Sequence, residues 1–173
     1  ERILSENEAT LRRIYRSIEA TSEAIMITER GEVVYYINPA FTKLTGYEAD
    51  EVFGSDAGAF IKMLASPISL NEMKEIARDT GVWEGEITLS RKDGSSYEAY
   101  FDVNAVKNLD GEFEGFIFIQ RDITTLKQVM DELEQLARVD ALTGLYNRRY
   151  FMESLDQELE RTRRYQRNHC LLL

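Results

Sequence analysis

A chain of 173 residues that is 43% hydrophobic and 30% charged has the make-up of a soluble globular protein with one good core and a short appendage. Its net charge of −10 is concentrated in residues 21–123, which hold 19 acidic and 9 basic side chains, so there is no basic footprint for nucleic acid. No apolar run approaches the ~20 residues that cross a bilayer, the N-terminus lacks a signal peptide's apolar segment, and the single cysteine, Cys170, has no intrachain partner for a disulfide. These are the features of a cytoplasmic protein, and they leave room for a membrane tether upstream of Glu1 in a longer parent.

Residues 1–20 read as an amphipathic helix. Leu4, Leu11 and Ile18 fall seven apart, with Asn7 and Ile14 between them, a heptad seam with one polar interruption. The spacing suits packing on the helix's own domain and pairing with a second copy equally well. From Ala24 the period becomes that of strands, over 24–28 and 32–37, joined across Arg30-Gly31. Asn38 as N-cap and Pro39 at the first helical position open a short helix that Gly46 ends. Residues 47–68, interrupted by Gly54, Gly58 and Pro67, read as short helices and loops. Ser69 caps a longer helix with Leu70, Met73, Ile76 and Ala77 on one face and Gly81 at its end.

Three strands follow, separated by the turn signals Asp93-Gly94 and Asp110-Gly111. The first, 83–91, alternates Gly85, Ile87 and Leu89 with Glu84, Glu86 and Thr88. The second puts Tyr97, Ala99, Phe101, Val103 and Ala105 on one face. The third, 113–123, is apolar on both faces, with Ile117 and Ile119 on one side and Phe116 and Phe118 on the other, and so needs cover on both. After Thr124, Leu126, Val129, Leu133 and Leu136 form a second seam. The expected fold is α+β: a five-stranded antiparallel sheet with short helices on one face, flanked by N- and C-terminal helices. The two seams together predict a parallel homodimer through Leu4, Leu11, Ile14, Ile18, Leu126, Val129, Leu133 and Leu136.

The ordered set Asn38-Pro39-Ala40-Phe41, Leu44-Thr45-Gly46-Tyr47, Trp83-Glu84-Gly85-Glu86, Arg91-Lys92-Asp93-Gly94 and Arg121-Asp122-Ile123-Thr124 resembles PAS sensory domains over about residues 20–125. A mild departure is Glu48, where that family often has a Ser cap. The resemblance implies strand order 2-1-5-4-3 and room for a small-molecule ligand in the core, with Phe41, Phe60, Ile76, Trp83 and Ile117 as the expected lining. It also implies that Asp122 pairs with a charged residue on a neighbouring strand, so that Asp122, Ile123 and Thr124 tie the last strand to the linker helix. Asp122 and Thr124 in addition carry side-chain oxygens suited to capping that helix. His169, the only histidine, lies outside the PAS-like part, which argues against histidine-ligated haem, and Cys170 is equally misplaced for a covalent flavin. A non-covalent flavin or another organic ligand stays open. No metal cluster, P-loop or catalytic triad is present in the sequence, so no metal or catalytic residues are expected.

Asp140-Ala141-Leu142-Thr143-Gly144-Leu145-Tyr146-Asn147-Arg148-Arg149 resembles the opening of GGDEF domains, which condense two GTP into cyclic di-GMP with Mg²⁺. Phe151, Leu155 and Leu159 stripe a helix from about Asn147 to Tyr165, and residues 170–173 look like the start of a strand. No Gly-Gly pair occurs, so the GGDEF loop is absent and this chain is expected not to be an enzyme, while its parent would be a diguanylate cyclase. The motif residues are Asp140, Leu142, Thr143, Gly144, Leu145, Asn147, Arg148 and Arg149, of which Asp140, Asn147, Arg148 and Arg149 are expected to be structural, capping and orienting the first helix and joining it to the linker. The implied organisation is a dimer helix (1–20), a PAS sensor (21–124), a linker helix (125–139) and the start of a GGDEF domain (140–173). Two other readings remain at this stage: a parent with a degenerate GGDEF domain, alone or with an EAL phosphodiesterase, and a ligand-free PAS dimerisation module.

Overall fold

The structure, a computed structural model, describes residues 2–140 and 142–165; the side chains of residues 2–6, 137 and 162–165 lie outside that description. Leu4 as a seam residue, Ala141, His169, Cys170 and the strand expected at 170–173 therefore fall outside the described residues. The chain divides into two units, Glu1–Thr124 and Thr125–Leu173.

In the first unit α1 (Arg2–Glu19) is followed by β1 (Ala24–Thr28), β2 (Val34–Ile37), α2 (Pro39–Thr45), α3 (Ala49–Val52), a single 3₁₀ turn (Ala57–Ala59), β3 (Met63–Ala65), α4 (Leu70–Thr80), β4 (Val82–Ser90), β5 (Ser96–Lys107) and β6 (Phe113–Asp122). All strand pairs are antiparallel, in the order β2-β1-β6-β5-β4-β3. The five expected strands take the expected order. The sixth, β3, corrects the reading of residues 47–68: three residues of what looked like loop pair with the edge of β4, Met63 opposite Leu89. Three residues show no periodicity, and only the exposed edge of β4 makes them a strand.

The caps explain the helix bounds. The Asn38 side chain accepts from Phe41 N–H at the start of α2, and Gly46 ends that helix at φ 78°, a conformation that favours glycine. At α3 the missing Ser cap is offset by Glu51, whose carboxylate takes the Glu48 N–H at 3.0 Å. At α4 Ser69 and Glu72 form a reciprocal capping box.

The core lies between one face of the sheet and α2 to α4. Phe41, Phe101, Phe116, Phe118, Met26 and Met73 are fully buried there. The inner face of α4 differs from the expected one. Met73, Lys74 and Ala77 are buried, while Ile76 is 40% exposed. Lys74 is only 4% exposed because Glu32 meets it, Nζ to Oε2 2.5 Å, and Arg78 holds the other Glu32 oxygen at 2.8 Å. Glu32 itself sits at φ 64°, uncommon for a residue with a side chain. On the other face of the sheet, Tyr36 meets Tyr15 of α1 edge to face and donates its hydroxyl hydrogen to Glu19 at 2.8 Å.

The second unit holds most of α5 (Thr124–Arg138) and all of α6 (Arg148–Tyr165), joined by a tight turn. Asp140 Oδ1 accepts from Leu142 N–H, Thr143 N–H and the Thr143 hydroxyl at 2.9–3.1 Å, bonds that hold its carboxyl below the usual range. Gly144 turns the chain at φ 70°. Asn147 donates its N–H to the Arg138 carbonyl at 2.7 Å, and its side chain accepts from Tyr150 N–H at the start of α6. The Arg138 guanidinium lies 5.2 Å from the Tyr150 ring. Arg149 approaches Glu153 at 3.7 Å, Arg148 faces solvent, and Leu142 and Leu145 are exposed.

Candidate functional site: the strand-to-helix junction

Chemistry-bearing side chains concentrate where β6 ends. Along β6, Phe116, Phe118 and Gln120 face the core by alternation, and Gln120 is 1% exposed. A buried amide needs partners. It finds one in the Tyr97 hydroxyl, which donates to Gln120 Oε1 at 2.6 Å. Burial is the main cause that pushes the Tyr97 phenol far above its ordinary value; Arg91 opposes the rise and Asp122 adds to it.

Arg91, at the β4–β5 hairpin, lies over the Tyr97 ring at 4.4 Å. Its guanidinium binds in three directions: Nε to the Leu44 carbonyl at 2.9 Å, one terminal nitrogen to the Ser96 carbonyl at 3.0 Å, and the other to Asp122 Oδ2 at 2.7 Å. Five donors in a rigid fork make arginine able to serve all three at once. The other oxygen of Asp122 accepts from Thr124 N–H at 2.9 Å, a capping bond at the start of α5. Ile123 and Thr124 then borrow the backbone of β5: Ile123 N–H donates to the Glu98 carbonyl at 2.8 Å, and the Thr124 hydroxyl accepts from Glu98 N–H at 2.9 Å. One chain of contacts thus runs from buried Gln120 through Tyr97, Arg91 and Asp122 to the first residue of α5.

The structure brings Asp122, Ile123 and Thr124 together. It does not bring together the five residues expected to line a core pocket. Phe41 is buried and Trp83 half-buried on the core face, the indole covering Gly85 and meeting Phe101 edge to face. Phe60 packs edge-on against Tyr47. Ile76 points away from the core on α4, and Ile117, opposite Ile27 and Asn104, lies on the other face of the sheet from Phe116 and Phe118. Ile76 and Ile117 thus stand apart from Phe41, Phe60 and Trp83, and the five do not share one side of the sheet. Among the described residues no group of three His, Cys, Asp or Glu could hold a metal ion, and no helix is long and apolar enough to cross a membrane.

Of the seam residues, Leu11, Ile14, Leu126, Val129, Leu133 and Leu136 are exposed and Ile18 is half-buried. Sequence reasoning singled out Asp122 and a charged partner for it, but did not name Arg91 as that partner, nor the Tyr97–Gln120 pair beside it. One signal was available: Gln120 occupies a core-facing position two residues after Phe118 in an otherwise apolar strand.

Residues 22–125 match the family described as PAS domain. The chain belongs to the PAS domain family. Residues 137–173 match a second family, described as diguanylate cyclase, GGDEF domain. The PAS fold recurs in a crystal structure of a PAS domain from Colwellia psychrerythraea, at TM-score 0.61 and 20% identity over 67% of this chain and 98% of that one. It recurs also in an RNA-binding light-oxygen-voltage receptor, at TM-score 0.56 and 31% identity over 72% of this chain and 36% of that one. Among curated proteins, the probable diguanylate cyclase DgcE of Escherichia coli strain K12 is 22% identical over 163 residues, 92% of this chain. A nitrogen fixation regulatory protein of Klebsiella oxytoca is 29% identical over 117 residues, 66% of this chain. The chain spans only 15% and 24% of the lengths of these two relatives. The PAS domain and the GGDEF opening thus stand in one chain, in that order.

Proposed function

We propose that this PAS domain is the regulatory input of a diguanylate cyclase whose catalytic domain opens at residues 137–173. The parent protein condenses two GTP into cyclic di-GMP with Mg²⁺, in the cytoplasm where GTP is found. The observation that carries this reading is the Arg91–Asp122–Thr124 junction, because it fastens β6 of the sensor to the start of the helix that leads to the GGDEF signature. Support also comes from the GGDEF family match and from the likeness to DgcE over most of the chain.

The mechanism is geometric. Joining two GTP requires two catalytic domains to face each other, each with one nucleotide, so orientation controls rate. A homodimer that pairs α5 through Leu126, Val129, Leu133 and Leu136, and α1 through Leu11, Ile14 and Ile18, sets that orientation. A signal in the PAS domain changes output only if it favours one arrangement of the linker over another. The test is Asp122→Ala in the full-length parent. The expected result is a folded protein whose cyclic di-GMP output no longer follows its signal; an unchanged response would make Asp122 a helix cap only.

A further inference from the structure

Beside the junction, between the end of α1, the start of α2 and the end of β6, lies a depression of about 650 Å³. That volume falls within the roughly 300–1,000 Å³ of small-molecule sites. Three carboxylates (Glu19, Glu23, Asp122) and three cations (Lys43, Arg91, Arg121) line it, so its charges cancel while both signs are spread over its walls. Most of them are engaged within the protein. Asp122 holds Arg91, Glu23 holds Arg121, and Glu19 accepts from Tyr36. Lys43 differs: it is exposed on α2 and has no hydrogen bond or ion pair among the described residues. The floor is buried Gln120. Its carbonyl oxygen is taken by Tyr97, while its amide nitrogen has no hydrogen-bond partner among the described residues, and Gln120 lines the depression. A buried amide keeps such a vacant donor where a solvent or ligand oxygen reaches it.

We infer that this depression binds a small zwitterion of the α-amino-acid type. Its carboxylate meets the Lys43 ammonium, a further oxygen accepts from the Gln120 amide, and its ammonium group sits on the Glu19 and Glu23 side. A simple anion would also face three carboxylates, and a simple cation three basic groups; a dipolar ligand of zero net charge answers both. The ligand lies against the Arg91–Asp122 bridge, so its binding biases the junction that leads into α5. This signalling consequence rests on the proposed function, whereas the binding does not.

The test uses the 173-residue chain, with a panel of the common L-amino acids as probes and acetate and methylamine as their single-charge halves. Calorimetry is expected to show saturation by at least one amino acid below about 10 mM, with acetate and methylamine at least about tenfold weaker. Amide resonances of residues 19–23, 39–44 and 120–122 should shift with saturation. Lys43→Gln, a change at an exposed site, should weaken binding at least about tenfold, and Lys43→Arg should recover most of it. The inference is overturned by the absence of saturation with every amino acid, by acetate binding as tightly as the amino acid, by wild-type affinity in Lys43→Gln, or by shifts confined to other residues. None of these results depends on cyclase activity, and an inactive parent would leave the binding result standing.

Discussion

Asp102 on β5 shows how one side chain can carry a measurable cost. Its Oδ1 is buried without a hydrogen-bond partner, and Glu84 stands directly opposite on β4. Burial first, then Glu84 and Glu23, push its carboxyl above the ordinary value, with Arg121 opposing. A carboxyl raised in this way is harder to ionise in the fold than in the unfolded chain. Ionised Asp102 therefore costs stability above its folded pKa, and the cost disappears as pH falls through that value. Asp102→Asn removes the charge and offers a donor towards Glu84. The mutant should be more stable than wild type at neutral pH by on the order of 1 kcal/mol. Thermal melts across about pH 4–8 should show the gain shrinking towards the acid end; a gain that does not depend on pH would contradict the charge argument. Gly115 carries the opposite sensitivity. A Cβ there would stand 1.9 Å from the Thr28 carbonyl oxygen, a backbone atom that cannot swing away. Gly115→Ala should cost at least about 2 kcal/mol in urea unfolding, as overpacking against a fixed neighbour does.

At the scale of elements, α4 and β6 mark what a pattern of residues can convey. β6 was legible, because Phe116 and Phe118 alternate with Ile117 and Ile119 and all four are apolar. The inner face of α4 was not. Positions 70, 73, 74 and 77 are its true helical period, but position 74 is a lysine, and apolarity pointed instead to Ile76. What permits Lys74 inside is Glu32, 42 residues earlier, and no local pattern contains that pair. The junction divides in the same way. Asp122 was readable as a cap because capping is local; Thr124, expected to cap as well, instead accepts from Glu98 N–H on β5, and this bond, Arg91–Asp122 and Tyr97–Gln120 span 26, 31 and 23 residues and exist only after β4, β5 and β6 pair. α5 presents the remaining question at this scale: an exposed apolar stripe that includes Leu133, 60% exposed. If that stripe is the dimer seam, Leu133→Glu places two like charges at an apolar contact. Sedimentation should then show dimerisation weakened by more than about tenfold, roughly the effect of 1.4 kcal/mol. A mutant that dimerises as wild type does would remove α5 from the interface.

At the scale of the whole molecule, the sequence here contains the opening of the GGDEF signature but not its Gly-Gly loop. This chain, given GTP and Mg²⁺, should form no cyclic di-GMP; robust turnover would refute the proposed division of labour between sensor and catalytic domain. The same division makes a prediction about α5 in the full-length parent. If α5 transmits orientation, its output depends on helical phase as well as on length. Two residues inserted after Met130 rotate everything beyond them by about 200°, which carries Leu133 and Leu136 to the opposite side of the helix. Seven residues restore the face to within about 20° while lengthening the helix more. The signal response in cyclic di-GMP synthesis should therefore be lost or inverted by the two-residue insertion and retained by the seven-residue one. A passive tether gives another ranking, in which the longer insertion perturbs output at least as much as the shorter. Equal responses from both insertions would show that the junction at Asp122 ends in a tether, and that orientation of the catalytic domains is set elsewhere.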